Sequence, residues 1–289
     1  MGDGMDRVGV GWRPEIAALL ARRFDEIDLV EVIAENFMDR RGPAALRTLA
    51  SEVPIMLHGV SLGLASAYPV DERRLSRLAR LAEAARLPVW SEHLAFVRAG
   101  GREIGHLAAP PRTEATIEGA LRNLARARAV VGTAPALENI ATLIEPPAST
   151  MDECKWIGAI AACADAALLL DLHNLYANAV NFGADPHAMM HALPLDRVRI
   201  VHLSGGVWIG GRDGERQRLL DDHLHDVPPA VYDLLEALAA HVTHPLDVII
   251  ERDGRYPPIE ALLAQVRAAR AALARGRART AMAVERLAA

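Results

Sequence analysis

The amino-acid sequence predicts an α/β fold, a (β/α)8 TIM barrel, and three observations favour it. Eight short runs rich in Val, Ile and Leu recur along the 289 residues, and helical patterns lie between them. The runs are almost continuously apolar, which is typical of parallel strands that are buried on both faces. Hydrophobic residues make up 51% of the chain, so the chain can bury a large core.

The runs give eight predicted strands in chain order, at residues 8–12, 29–37, 53–60, 88–96, 134–141, 166–175, 198–206 and 246–254. Between them, apolar residues recur at helical spacing, for example over residues 75–85 and 117–131. Thr113 and Thr116 indicate where one of these helices begins. A doubly wound open sheet is the alternative. It should carry a glycine-rich phosphate turn after an early strand, but the segment GVGW at 9–12 lacks the third glycine.

The domain organisation predicted from the sequence is a single barrel. No linker rich in Pro, Gly or Ser divides the chain, so we expect one TIM-barrel domain over residues 1–273. Residues 274–289 are expected to form a C-terminal helical extension or a tail. The longest stretch predicted to be irregular, 205–227, follows the seventh strand, where a barrel carries functional loops, and is a candidate lid.

Composition and charge exclude several classes of protein. The net charge of −5 and the absence of a basic face argue against nucleic-acid binding. Two cysteines, Cys154 and Cys163, are too few for a disulfide scaffold or a Cys-rich zinc or iron–sulfur site. No apolar run approaches 18 residues, and the N-terminal segment lacks the apolar core of a secretory signal. We therefore expect no membrane span and a cytoplasmic location.

Polar side chains stand near the C-terminal ends of the predicted strands, which converge on one mouth in a barrel. They are Glu35, Asn36, His58, Glu92, His93, Glu138, Asn139, Asp171, His173, Asn174, His202, Glu251 and Asp253, and the loop after the seventh strand adds Asp221, Asp222, His223 and His225. Several carboxylates at an apolar mouth would be costly to keep ionised, and a cation removes that cost. Imidazoles and carboxylates without thiolates suit Fe, Mn or Zn. The ligands exceed the needs of one ion, so two or three metals are expected.

The remaining histidines carry weaker signals. His106 follows the turn AGGREIGH, and its position at the mouth or on the surface stays open. We interpret His187, His191, His225, His241 and His244 as surface residues. The sequence contains no convincing nucleophile elbow or Ser–His–Asp order.

Several segments, in order between about residues 8 and 272, resemble the DUF692 proteins, now called multinuclear non-haem iron-dependent oxidative enzymes. The segments are HGVSLGLAS (58–66), SEHLAF (91–96), LEN (137–139), DLHNLYANAVNFG (171–183), VHLSGG (201–206), DDH (221–223) and IERDG (250–254). The resemblance implies a xylose-isomerase-like TIM barrel holding two or three iron ions in a mixed Fe(II)/Fe(III) state. It further implies O2-dependent oxidation of a residue, often cysteine, in a ribosomally synthesised precursor peptide, with a small partner protein that binds the leader of that peptide.

Carried over position by position, the resemblance assigns the metal ligands to His58, His93, Glu138, Asp171, Asn174, His202, Asp221, His223 and Glu251. It implies catalytic roles for Glu138, Asp171 and His202, with Glu138 among the central ligands, where a carboxylate can bridge two irons.

The sequence departs from the family pattern at two positions. His173 stands where many relatives have Asn, and it is either a further ligand or a hydrogen-bond partner of one. Arg252 replaces an aromatic residue that is often found between the last Glu and Asp of the family. Arg13, Arg98 and Arg102 are unranked candidates for holding a carboxylate of the peptide.

Two other function classes stay open at this point. A metal-dependent hydrolase or isomerase of the sugar-isomerase or endonuclease kind uses similar donors, although an endonuclease should favour a basic surface. Bound zinc or manganese without O2 uptake would indicate this class. A non-catalytic metal-binding or peptide-binding barrel is the second, and an iron-loaded protein that leaves the mass of its peptide unchanged would indicate it.

Overall fold

The computed structural model describes residues 4–85, 89–99, 102–210 and 217–288. Strands and helices alternate along most of these residues. The strands are β1 (Arg7–Trp12), β2 (Val30–Ile33), β3 (Ile55–Gly59), β4 (Trp90–His93), β5 (Phe96–Ala99), β6 (Arg102–Ala108), β7 (Ala136–Glu138), β8 (Leu168–Asp171), β9 (Val198–Leu203), β10 (Gly206–Ile209), β11 (Arg218–Asp221) and β12 (Asp247–Ile250). The α-helices are α1 (Ala17–Leu20), α2 (Gly42–Glu52), α3 (Glu72–Ala85), α4 (Glu114–Val131), α5 (Glu153–Ala164), α6 (Leu172–Phe182), α7 (Pro186–His191), α8 (Pro229–His241) and α9 (Ile259–Ala288). Short 3-10 helices span Ala21–Glu26, Ala34–Phe37 and Leu195–Arg197.

The parallel strands hydrogen-bond in the order β1-β12-β9-β8-β7-β4-β3-β2 and close a barrel. This confirms the predicted (β/α)8 TIM barrel and excludes the open sheet. Two antiparallel ribbons, β5–β6 and β10–β11, are separate from the barrel sheet. By their internal contacts, the residues form two compact units. We call Leu29–Leu169 the central unit, and Met1–Asp28 together with Leu170–Ala289 the terminal unit.

The central unit contains β2, β3, β4 and β7. Leu57, Trp90 and Leu137 lie in its core with no exposed surface. Helix α4 begins at the predicted signal, because Thr113 and Thr116 form a reciprocal capping box there.

A buried side chain of α4 also holds the loop that follows β3. The Nδ2 atom of Asn123 donates to the carbonyl oxygens of Leu64 and Ser66, each at 3.0 Å, and to that of Tyr68 at 3.1 Å. This loop includes most of the sequence HGVSLGLAS, so one amide fixes a segment on which the resemblance depends.

The terminal unit contains β1, β9, β12 and helices α6 to α9. Helix α6 begins directly after β8, because the side chain of Asp171 caps it by accepting the N–H of Asn174 at 2.7 Å. It ends at Gly183, which adopts the left-handed conformation with a φ of 79°. The predicted strand 166–175 was therefore too long, since the cap turns the chain into a helix after residue 171.

The segment 205–227 also differs from its prediction as one irregular stretch. Strands β10 and β11 pair antiparallel within it, with Gly206 opposite Asp221 and Trp208 opposite Leu219. Its glycines and charges obscured two strands of only four residues each. Residues 211–216 of the proposed lid lie outside the described residues.

At the C-terminus, α9 runs without interruption from Ile259 to Ala288, so residues 274–288 continue the last helix of the barrel. Residue 289 of the predicted extension lies outside the described part of the chain. Among the residues that the structure describes, no helix combines the length and apolar character needed to cross a membrane.

Candidate metal centre

The central unit brings three predicted ligands together on one face of its sheet. His93 lies opposite Glu138 in the pairing of β4 with β7, and His58 lies opposite Ser91 in the pairing of β3 with β4. Since alternate residues of a strand share a face, all four side chains project to the same side. His58, His93 and Glu138 are buried at 2%, 8% and 1% exposure. We call these three residues the His58 cluster.

The geometry of the His58 cluster suits one cation. The Oε2 atom of Glu138 lies 3.4 Å from His58 Nε2 and 3.2 Å from His93 Nε2. The two imidazole rings meet edge to face with 4.7 Å between their centroids. Ser91 Oγ lies 2.9 Å from His58 Nδ1 and so turns the other ring nitrogen towards Glu138. The candidate ligand atoms lie within 4.8 Å of one another.

Glu92 is buried beside this cluster but is occupied by the backbone. Its Oε1 accepts the N–H of His93 at 3.0 Å, and its Oε2 accepts the N–H of Leu62 at 3.1 Å. A carboxylate that accepts two backbone N–H groups is satisfied without a metal ion. Glu92, which the sequence also places at a strand end, therefore holds the backbone around the cluster.

The terminal unit contains a second group of predicted ligands, Asp171, His202 and Glu251, which we call the Glu251 cluster. His202 lies opposite Ile249 in the pairing of β9 with β12, and Glu251 lies two residues beyond Ile249 on the same face. His202 Nδ1 is 3.0 Å from Glu251 Oε2. Ligand atoms of the three residues lie within 4.8 Å of one another, and all three side chains are buried.

Asn174 is placed next to this cluster by helix capping. It lies in the first turn of α6 with its backbone N–H on Asp171 Oδ1, and its side chain is buried. The sequence prediction put His173 and Asn174 at a strand end, but both belong to the helix.

Asp221 and His223 form a pair that contacts Glu251. Asp221 Oδ2 lies 3.0 Å from His223 Nε2, and His223 Nδ1 lies 3.6 Å from Glu251 Oε2 and 3.3 Å from Asp253 Oδ2. His223 has a φ of 54°, in the left-handed region that side chains with a Cβ rarely adopt. Its carbonyl oxygen accepts the N–H of Asp253 at 2.9 Å, which fixes this conformation.

Arg13 compensates the negative charge of Glu251 and Asp253. It is 5% exposed, its Nε donates to Asp253 Oδ1 at 2.7 Å, and its Nη2 lies 3.5 Å from Glu251 Oε1. Its guanidinium is thus engaged by carboxylates of the protein itself rather than offered to a peptide.

The other two candidate arginines lie in the central unit. Arg98 donates to the carbonyl oxygens of Ser61 at 2.9 Å and Leu62 at 2.7 Å. Arg102 is exposed at the start of β6. Neither geometry identifies a carboxylate site.

The ionisable groups of the terminal unit perturb one another strongly. Burial opposes the charge of Glu251, but the charges of His202 and His223 outweigh burial and hold its pKa well below the ordinary value. The pKa of Asp221 is likewise lowered against burial, by His223 and His173. The pKa of His223 is raised well above its ordinary value, because Glu251 and Asp221 outweigh its own burial. The protonated His223 ring therefore supplies positive charge beside Glu251 and Asp221, as a bound metal ion would.

The donor chemistry fits a transition-metal ion. Both clusters offer imidazole nitrogens and carboxylate oxygens, a combination that suits Fe, Mn or Zn. Cys154 and Cys163 lie in α5, one buried and one exposed, and neither belongs to a cluster among the described residues. His187, His191 and His241 are exposed, as predicted, and so is His106.

Sequence reasoning overlooked two buried polar residues of the barrel strands. Ser91 was not singled out, because a hydroxyl within a strand carries no metal signal. Glu31 was also missed, although it is completely buried in β2. The signal for Glu31 was a single charged residue in the middle of the apolar run LVEVI.

Comparison with known proteins identifies the family of this chain. Residues 7–274 match the family described as RiPP precursor modification enzyme MbnB/TglH/ChrH. The chain is 35% identical over 264 residues to a UPF0276 protein of Anaeromyxobacter sp., covering 90% of each. It is 36% identical over 272 residues to one of Bordetella parapertussis, covering 93% of each.

A third relative is longer. The chain is 41% identical over 257 residues to a UPF0276 protein of Streptomyces avermitilis, which covers 86% of this chain but 51% of that protein. The chain thus spans about half the length of that relative.

Solved structures share the fold at low sequence identity. An L-ribulose 3-epimerase aligns with a TM-score of 0.61 at 15% identity and covers 99% of each chain. A xylose isomerase domain protein from Planctomyces limnophilus aligns with a TM-score of 0.61 at 14% identity, covering 96% of this chain and 99% of that one. These likenesses confirm a xylose-isomerase-like barrel. The match over residues 7–274, with the relatives above 30% identity, confirms the resemblance seen in the sequence: the chain belongs to the MbnB/TglH/ChrH family of RiPP precursor modification enzymes.

Proposed function

We propose that this protein is an iron-dependent oxidoreductase that uses O2 to modify a residue, often a cysteine, in a ribosomally synthesised precursor peptide. One observation carries the proposal. A member of a peptide-modifying family holds two buried clusters of histidine and carboxylate side chains, with ligand atoms within 4.8 Å of one another in each cluster. Buried charges of this kind are costly unless a cation or protons compensate them.

Two or three iron ions are proposed to be distributed over the two clusters. His58, His93 and Glu138 are the ligands in the central unit. In the terminal unit the ligands are Asp171, Asn174, His202, Asp221, His223 and Glu251. Bound iron would supply the one-electron and O2 chemistry that no side chain provides by itself. Glu138 in the central unit and Asp171 and His202 in the terminal unit are the proposed catalytic residues, each as a ligand in its own cluster.

The residues around the two clusters have three tasks. Ser91 and the cap at Asp171 orient ligand side chains before any ion arrives. Arg13 and Asp253 adjust the charge around Glu251. The burial of both clusters limits the access of water, which favours the oxidation of the substrate over side reactions.

The precursor peptide is the proposed substrate, and a small protein that binds its leader is the proposed partner. Neither nucleic acid nor a membrane has a role in this proposal. The reaction is expected in the cytoplasm, because ribosomes make the peptide there.

The test combines metal analysis with peptide mass. The protein is purified without O2, its metals are counted, and it is incubated with O2 and the peptide encoded by a short open reading frame beside its gene. We expect iron as the main metal and a mass change that requires both iron and O2. Glu138→Ala should lose iron and the mass change, whereas Glu118→Ala, an exposed residue of α4, should keep both.

Other results would overturn the proposal. Zinc or manganese as the active metal, with no O2 uptake, would favour a hydrolase or isomerase. An iron-loaded protein that binds the peptide but leaves its mass unchanged would favour a carrier. Full iron content in Glu138→Ala would contradict the ligand assignment.

A further inference from the structure

His173 packs against the β10–β11 ribbon and lies close to a residue of each strand. Its ring has no exposed surface, and its Nδ1 is 2.8 Å from Asp221 Oδ1. Gly206 is the cross-strand partner of Asp221. A Cβ atom at Gly206 would lie 2.7 Å from His173 Cε1, 3.1 Å from His173 Nε2 and 2.2 Å from the carbonyl oxygen of Leu220. Only glycine allows the ring to lie this close to the strand.

The two carboxylate oxygens of Asp221 have different surroundings. Oδ1 has His173 Nδ1 at 2.8 Å and Ser204 Oγ at 3.3 Å. Oδ2 lies 3.0 Å from His223 Nε2. Because two donors hold Oδ1, the other oxygen is turned towards the imidazole of His223.

Helix α6 holds the same ribbon strand at a second point. Asn181 Oδ1 accepts the N–H of Leu219 at 2.7 Å, and Asn181 Nδ2 donates to the carbonyl oxygen of Leu219 at 2.9 Å. The Asn181 amide thus pairs with the backbone N–H and C=O of Leu219, as a residue of a neighbouring strand would. Residues 173 and 181 of one helix thus fix β11 at residues 221 and 219, which sets the position of the Asp221 carboxylate.

We propose that His173 is a positioning residue and not a ligand: its imidazole donates Nδ1–H to Asp221 Oδ1, so that Asp221 Oδ2 and His223 Nε2 together form the metal-facing pair. The geometry favours this role over that of a ligand, since Nδ1 is engaged by Asp221 and the backbone of Gly206 lies against the Cε1–Nε2 edge of the ring. Partners of this kind fix the orientation of metal-binding side chains, and their loss typically costs about 10-fold to 100-fold in metal affinity. The inference rests on the proposed metal centre.

Two substitutions separate the hydrogen bond from the bulk of the ring. His173→Asn keeps an N–H donor close to the place of Nδ1, whereas His173→Leu keeps an apolar side chain of moderate size without a donor. We expect His173→Leu to bind one metal ion about 10-fold to 100-fold more weakly, measured by competition with a chelator, and His173→Asn to remain within about fivefold of the wild type. His187→Leu, on the exposed face of α7, is the matched control and should change nothing.

A second measurement needs neither metal nor turnover. In the metal-free protein labelled with 15N-histidine, the signal that disappears in His173→Asn should show the Nδ1–H tautomer. An Nε2–H tautomer would overturn the inference, and so would wild-type metal affinity in His173→Leu. If the wild type itself bound no ion, the proposed metal centre would fail, while the tautomer would still decide the role of His173. If His173→Leu did not fold, the tautomer and the affinity of His173→Asn would decide it.

Discussion

The two clusters reach a similar set of donors by different structural means. In the His58 cluster all three ligands belong to barrel strands, and a neutral hydroxyl, Ser91, orients one of them. The Glu251 cluster instead combines His202 of β9 with Asp171, which ends β8 and caps α6, and with Glu251, which follows β12. Its neighbours Asp221 and His223 come from a ribbon strand and the turn after it. A barrel orders strand-borne ligands through its own register. Ligands outside the strands need charge partners and dedicated anchors.

The largest expected effect comes from removing one imidazole from each cluster. His93→Ala should lose the ion of the His58 cluster, and His202→Ala should lose an ion of the Glu251 cluster, each with a drop in affinity of more than about 100-fold, because direct ligands contribute more than their supporting residues. Metal counts and chelator competition measure the effect, with His187→Ala as the exposed control. If either substitution emptied both clusters, the ions would share ligands and the comparison would break down.

A substitution of Arg13 tests how much its buried charge contributes to the stability of the protein. Arg13→Met removes a buried positive charge from beside Glu251 and Asp253, so we expect the free energy of unfolding of the metal-free protein to fall by about 2–4 kcal/mol. Urea denaturation measures it. The control is Arg7→Met, whose arginine is paired with Asp247 at 2.6 Å but 46% exposed, and the expected loss is about 0–1 kcal/mol. Equal losses in both variants would show that burial adds nothing here.

The pH dependence of metal binding should reveal His223. Its pKa is raised in the metal-free protein, so the ring is protonated near pH 7, and an ion must displace that proton. The affinity of the protein for the ion that His223 binds should therefore rise with pH, by about tenfold per pH unit for each proton released. Calorimetry in buffers of different ionisation enthalpy counts the protons. His223→Ala should release about one fewer, and an unchanged count would contradict the prediction.

The smallest expected effect separates a structural carboxylate from the ligands. Glu92→Gln replaces one acceptor with an amide N–H that faces a backbone donor, so we expect a loss of about 1–2 kcal/mol in the free energy of unfolding. Its metal content should stay at the wild-type level. Glu118→Gln, on an exposed helical face, should change stability by less than about 0.5 kcal/mol. Loss of metal from Glu92→Gln would place Glu92 among the ligands.

Much of the His58 cluster follows from local sequence features. The strands are short and strongly apolar, their period of two sets which residues share a face, and a barrel gathers their ends. His58, His93 and Glu138 were therefore identifiable as neighbours once the strands were recognised. The resemblance to an enzyme family added the same residues independently.

The surroundings of the Glu251 cluster were harder to predict because they depend on contacts between distant residues. Arg13 meets Glu251 and Asp253 about 240 positions further along the chain, and no local pattern announces such a pairing. His173 was placed on a strand because the apolar run hides the helix cap at Asp171. The β10–β11 ribbon was missed because strands of four residues within a glycine-rich, charged segment carry little periodic signal.

The cap of α6 has a consequence for how the fold tolerates a cation. The N-terminus of a helix carries partial positive charge and by itself repels a metal ion. At the proposed metal site, Asp171 would lie between the two. One of its oxygens accepts the N–H of Asn174, and its negative charge would separate the helix N-terminus from the ion. Asparagine caps a helix about as well as aspartate but lacks this charge. The position would thus serve both the folding of α6 and the binding of the proposed ion, and only the second role distinguishes the acid from its amide.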